Sequence, residues 1–185
     1  MLKKLPIKQM LKIIKSHIFS TILIFVLGIV SAGALYGENS FLLTVFSIIS
    51  LIIYFGMMYS EAYGIAQHDK KRITSEEPFF LKGFLLPVGL TIVTILTYVL
   101  YYFVWKFMMG GITFSLGAWL LNMVFIIWSY AFNGIIGLNN GIMEWYGYII
   151  VIFVPALFSG IGYIAGLKDF DINSKLSKFI YEKKD

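Results

Sequence analysis

The sequence predicts an all-α polytopic membrane protein with four transmembrane helices, an extracytoplasmic interfacial or re-entrant helix, and cytoplasmic amphipathic helices at both termini. Three observations carry this. Of 185 residues, 59% are hydrophobic, 18% are aromatic and only 14% are charged, against roughly 25% charged in soluble globular domains. The apolar residues fall into runs long enough to cross the hydrocarbon, which takes about 20 helical residues. The basic residues gather before the first run, in one interior island and after the last run, as the positive-inside tendency requires if all three regions are cytoplasmic.

The formal charge of +5 sits beside apolar spans, where it faces anionic lipid, so no nucleic-acid partner is expected. The absence of cysteine excludes disulfides, thiolate metal sites and a cysteine nucleophile.

Residues Ile7, Met10, Leu11, Ile14 and Ile18 are helically spaced against Lys4, Lys8, Lys12 and Lys15. This predicts a basic helix starting near Pro6 and lying on the membrane surface. Span one covers about 18–36; it is longer than a signal peptide's apolar core and is expected to be retained. Gly28 and Ala32 give it small-xxx-small spacing for close helix packing. A polar turn at 37–40 leads into span two, about 41–61.

Residues 62–83 are expected to form a cytoplasmic loop, the one densely charged interior segment. Span three, about 84–106, carries Pro87 in its first turn, where a missing donor costs little. Gly110-Gly111 then breaks the helix. Residues 112–137 are long enough to cross, but a fifth span would put the lysine-rich tail outside, so an interfacial or re-entrant segment is expected there. Ser115, Ala118, Asn122, Ser129, Asn133 and Gly137 form a polar and small stripe opposite Leu116, Leu120, Val124 and Ile127. Span four, about 145–167, has Pro155 in mid-helix and Gly160, Gly162 and Gly166 for close packing. The tail places Ile172, Leu176, Phe179 and Ile180 on one face, as a second surface anchor.

Catalytic patterns are weak. His17 and His68 are far apart, and no paired-histidine or phosphate-loop spacing occurs, so no metal or cofactor site is expected. Ser159 lacks a base at a suitable position, and helix packing explains it better. Glu76-Glu77 suits a solvated cap for a helix beginning at Pro78. The spans carry no ionisable residue except Glu61, which lowers the expectation of a proton-coupled carrier. Pairing of Glu61 with Lys82 or Arg72 is its default explanation.

The pattern Tyr59-x-Glu61-x-Tyr63, His68-Asp69, Phe80-x-Lys82-Gly83 and, later, Pro155 with Ser159-Gly160-Ile-Gly162-Tyr163-x-x-Gly166 resembles small polytopic membrane proteins of Firmicutes bacteria. The resemblance implies a bacterial plasma-membrane protein with a signature cytoplasmic loop. It departs from that pattern at Tyr63 and Ala66, where the group tends to have Trp and Gly. The candidate interaction site is accordingly Glu61, Tyr63, His68, Asp69, Lys82 and Gly83. The leading expectation is a non-catalytic accessory or interaction subunit, with membrane lipid and a membrane protein at the cytoplasmic face as partners. The alternative is a small-solute transporter or its substrate-binding subunit, and a membrane enzyme comes third, requiring Glu61, His68 and Asp69 to converge.

Overall fold

The computed structural model describes residues 7–35, 40–72, 80–109, 120, 123–124, 127–132 and 145–170. Its helices are α1 (Ile7–Leu35), α2 (Ser40–Arg72), α3 (Lys82–Leu85), α4 (Val88–Met109) and α5 (Trp145–Leu167), with a 3-10 turn at Tyr130–Phe132. Four helices are long and apolar enough to cross a membrane. The chain is thus an all-helical, multi-pass membrane protein. The expected surface anchor after residue 170, the cap at Glu76 to Pro78, the turns at 37–39 and 138–144 and most of 112–137 lie outside the described residues, as does the side chain of Ala32.

α1 corrects the expectation of a separate surface helix. Ile13, Ser16, His17, Ser20, Thr21 and Ile24 are all buried at intervals of three and four, one stripe running through the basic and apolar halves alike. With no helix breaker between Ile7 and Gly28, the two halves form one rod of about 44 Å, longer than a hydrocarbon core of about 30 Å.

α2 corrects the boundary of the polar island in the same way. Tyr54, Met58, Ala62, Ile65, Ala66 and Asp69 are buried at helical spacing, so the packed face passes from the apolar span into the charged segment without interruption. Residues 62–72 therefore continue the helix, and the loop begins after Arg72.

Span three is divided. Pro87 has no amide hydrogen, so the α3 ladder stops at Leu86, whose amide bonds Lys82 O at 2.9 Å. Pro87 O then accepts Thr91 N at 2.8 Å and starts α4. Pro87 lies at the junction of two helices, not within the first turn of one.

Neighbours fix the directions. Phe55 meets Phe158, Gly162 lies against Tyr59 and Gly166 against Tyr63, and Gln67 reaches Asp169; both numbers rise together, so α2 and α5 run parallel. Gln9 meets Asp69, Ser16 meets Met57 and His17 meets Tyr54, so α1 and α2 are antiparallel. The start of α1, the end of α2, α3 and the end of α5 thus share one end of the bundle. Exposed Lys8, Lys12, Lys15, Lys70, Lys71 and Lys168 make this the basic end.

Of the 112–137 segment, Leu120 and Val124 are exposed, whereas Ser129, Ala131 and Phe132 are buried. Phe132 packs edge-on against Tyr54 and Tyr130 against Phe25. This backbone outside regular α-helix is sheltered by protein, the condition under which such backbone is tolerated at membrane depth.

Candidate functional site

At the basic end, Asp69 gathers four segments of the chain. Lys82 Nζ from α3 donates to Asp69 Oδ2 at 2.6 Å, the Tyr163 hydroxyl from α5 donates to the same oxygen at 3.0 Å, and Gln9 Nε2 from α1 donates to Oδ1 at 2.8 Å. Asp69 is 8% exposed. A carboxylate so withdrawn from water needs both a cation and hydrogen bonds to remain charged, and it has both.

Local chemistry explains the arrangement. Asp69 lies on the packed face of α2, where Ala62 and Ala66 bring the helix close to its neighbours. A Cβ at Gly83 would strike the Tyr163 Cβ and come within 3.0 Å of Gly160 Cα, so only glycine lets α3 rest on α5 here. The Ser159 hydroxyl donates to Gly83 O at 2.9 Å. This contact places Lys82, the preceding residue, beside Asp69.

A second cluster closes the end of α5. Phe170 N bonds Ala165 O at 2.9 Å and Asp169 N bonds Gly166 O at 3.4 Å, with Asp169 at φ 53, a Schellman cap held by an aspartate. Gln67 Nε2 donates to Gly166 O and to Asp169 Oδ1, each at 2.8 Å, and Lys70 pairs with Asp169. Lys70, and then Gln67, hold the Asp169 carboxyl below its usual range. The Tyr59 hydroxyl donates to Phe170 O at 3.2 Å.

Of the six residues singled out in the sequence, Asp69, Lys82 and Gly83 meet in one place. The others do not join them. Glu61 faces Lys12 Nζ at 3.8 Å, and its recorded ion pair is with neither of the partners expected. Tyr63 stacks on Tyr59 with centroids 6.0 Å apart, and its backbone faces Gly166. His68 is exposed while the adjacent Asp69 points inward, so the convergence that an enzyme at Glu61, His68 and Asp69 requires does not occur. No group of three or more metal-ligating side chains is found among the described residues.

Sequence reasoning missed Gln9, Tyr163, Gln67 and Asp169, whose roles depend on contacts between distant parts of the chain. It also missed His17, and the statement that the spans hold no ionisable residue except Glu61 needs correction. His17 is wholly buried within α1, with Nδ1 2.7 Å from the Tyr54 hydroxyl and its ring 4.6 Å from that of Trp128. Trp128 Nε1 donates to Thr94 Oγ1 at 2.9 Å, and Ser129 lies 3.4 Å from the Tyr98 hydroxyl. The available signal was the recurrence of Ser16, His17, Ser20 and Thr21 on one face of the helix.

Comparison with family models, with curated proteins and with solved structures finds no match to this chain.

Proposed function

We propose that this protein is a non-catalytic accessory or interaction subunit of a plasma membrane, with both termini on the cytoplasmic side, and that it offers its basic end to a membrane-protein partner and to anionic lipid. The Asp69 centre carries the reading. By tying α1, α2, α3 and α5 together through three hydrogen bonds to one carboxylate, it favours a rigid presenting surface over a reactive group. Exposed lysines around it supply attraction to anionic headgroups. The resemblance to Firmicutes membrane proteins supports a bacterial setting.

The test is purification of tagged wild-type protein from native membranes beside Glu61→Ala and Lys82→Ala. A stoichiometric partner held by the wild type and lost from either variant supports the reading. Retention of every partner by both variants overturns this use of the basic end.

A second reading, small-solute transport or substrate binding for a transporter, is favoured by one observation, the buried polar seam around His17. Uptake by proteoliposomes of the purified chain, abolished by His17→Ala, would select it over the first.

A further inference from the structure

Three buried side-chain atoms have no hydrogen-bond partner among the described residues: Gln9 Oε1, His17 Nε2 and Ser50 Oγ. All three belong to α1 and α2. Antiparallel pairing sets Gln9 beside Asp69 and His17 beside Tyr54, and Ser50 follows one turn farther along α2 on the Tyr54 face. Between Gln9 and His17 the Ser16 hydroxyl donates to Met57 O at 3.2 Å, with Ile13 the apolar residue on that face. Elsewhere in the bundle buried hydroxyls are satisfied, as Ser159 is by Gly83 O and Thr94 by Trp128.

Buried polar atoms in folded proteins are nearly always partnered, and hydrocarbon offers neither donor nor acceptor. What completes these three must come from within the seam. Gln9 Oε1 accepts only, the Ser50 hydroxyl both donates and accepts, and His17 Nε2 does either according to its tautomer. One small molecule that both donates and accepts suits all three. An ion does not, because the groups in recorded contact with the His17 ring are the Tyr54 hydroxyl of α2 and Trp128, with Thr94 of α4 behind Trp128. The charges of Asp69, Lys82, Lys12 and Glu61 lie toward the basic end. Rings within 4.6 and 5.6 Å of the imidazole restrict the ligand to something small.

We propose that the α1–α2 seam binds a file of water that enters beside Gln9 at the basic end, reaches His17 and Ser50, and exchanges protons with the His17 ring. Beyond His17 and Ser50 no further buried side-chain atom among the described residues lacks a partner, and the Tyr130 ring presses upon Gly28, so the file ends there. This goes beyond the interaction-subunit reading and holds whether or not a partner binds the basic end.

The chain has 2 histidines, and His68 is exposed, so His68→Gln leaves a single ring signal without disturbing the bundle. Protein labelled with 15N-histidine, in lipid nanodiscs, is transferred to deuterated water while the His17 ring N–H is followed by NMR. Rapid exchange, slowed roughly ten-fold or more by Gln9→Leu, is the expected result. Protection of the ring proton as complete as that of the central α1 amides means a dry seam and overturns the proposal. Exchange unchanged by Gln9→Leu overturns entry at the basic end. Should Gln9→Leu fail to insert, Ser16→Val tests the same route, and the wild-type rate decides between a wet and a dry seam by itself.

Discussion

Asp69 shows how much one side chain can determine. Asp69→Ala would leave Lys82 Nζ, the Tyr163 hydroxyl and Gln9 Nε2 without their common acceptor, and Lys82, with a side chain 20% exposed, would be only partly rescued by water. We expect a loss of about 2–3 kcal/mol, measured as a lower unfolding midpoint in mild detergent. Asp69→Leu combined with Lys82→Met should recover part of that loss, because removing both charges abolishes the desolvation cost together with the attraction. Asp169 behaves differently, since it is solvent-exposed and its lowered pKa comes from Lys70 and then Gln67. A carboxyl depressed in the folded state stabilises above its unfolded pKa, and that stabilisation fades as pH falls through the folded pKa. Asp169→Asn, which keeps a residue tolerant of positive φ, should flatten the acid limb of the stability profile, measured by thermal unfolding between neutral and strongly acidic pH. Asp69 was legible in the sequence as part of the one densely charged island between two apolar runs, in the pattern His68-Asp69 followed by Lys82-Gly83. Gln9 and Tyr163 were not, because a glutamine in a basic helix and a tyrosine near an interface are ordinary until folding brings them to the same carboxylate.

Helices meet here through glycines of two kinds. A Cβ at Gly162 would lie 2.5 Å from Tyr59 O, and one at Gly166 would lie 2.7 Å from Tyr63 O, so α5 rests on the backbone of α2. Backbone cannot step aside as a flexible side chain can. Gly162→Ala should cost about 1–3 kcal/mol by forcing the two helices apart, whereas Gly56 and Gly64 have nothing within 4 Å. Gly64→Ala should be neutral or stabilising by up to about 1 kcal/mol, since alanine restricts the unfolded chain more than glycine. Detergent melting of the two variants side by side checks the contrast. The number of long helices was legible from apolar run length. Their ends were not, because charge density suggested a loop at 62–72 and a surface helix before residue 18, while the buried stripes that continue through both segments show only against a partner helix. The division at Pro87 was half visible: the missing donor was plain, but the contact of Gly83 with α5 in the short helix before it was not.

At the scale of the whole molecule, the termini of α1, α2 and α5 described at the basic end predict a simple sidedness. Lys71→Cys and Tyr146→Cys introduce single thiols into a chain with no cysteine, at exposed positions on opposite ends of the bundle. A membrane-impermeant maleimide applied to intact cells should label Tyr146→Cys and spare Lys71→Cys, with both reacting once the membrane is opened. Labelling in the reverse order would place the lysines outside. The clustering of lysine made a basic end of the bundle legible before any fold was known.

The parallel pairing of α2 with α5 also has a consequence for biogenesis. Gln67 and the Gly166 carbonyl it reaches are 99 residues apart, so when α2 leaves the ribosome its main docking partner has not been synthesised. Its backbone at Tyr59 and Tyr63 must wait in the bilayer, covered by lipid or by the insertion machinery, until the last span arrives. Asp69 waits with it, able to meet Gln9 and then Lys82 before Tyr163 is made. Completion of the bundle is thus a late event that reports on the whole chain, and nascent chains cut before α5 should be marked for degradation even though three of their spans have already inserted.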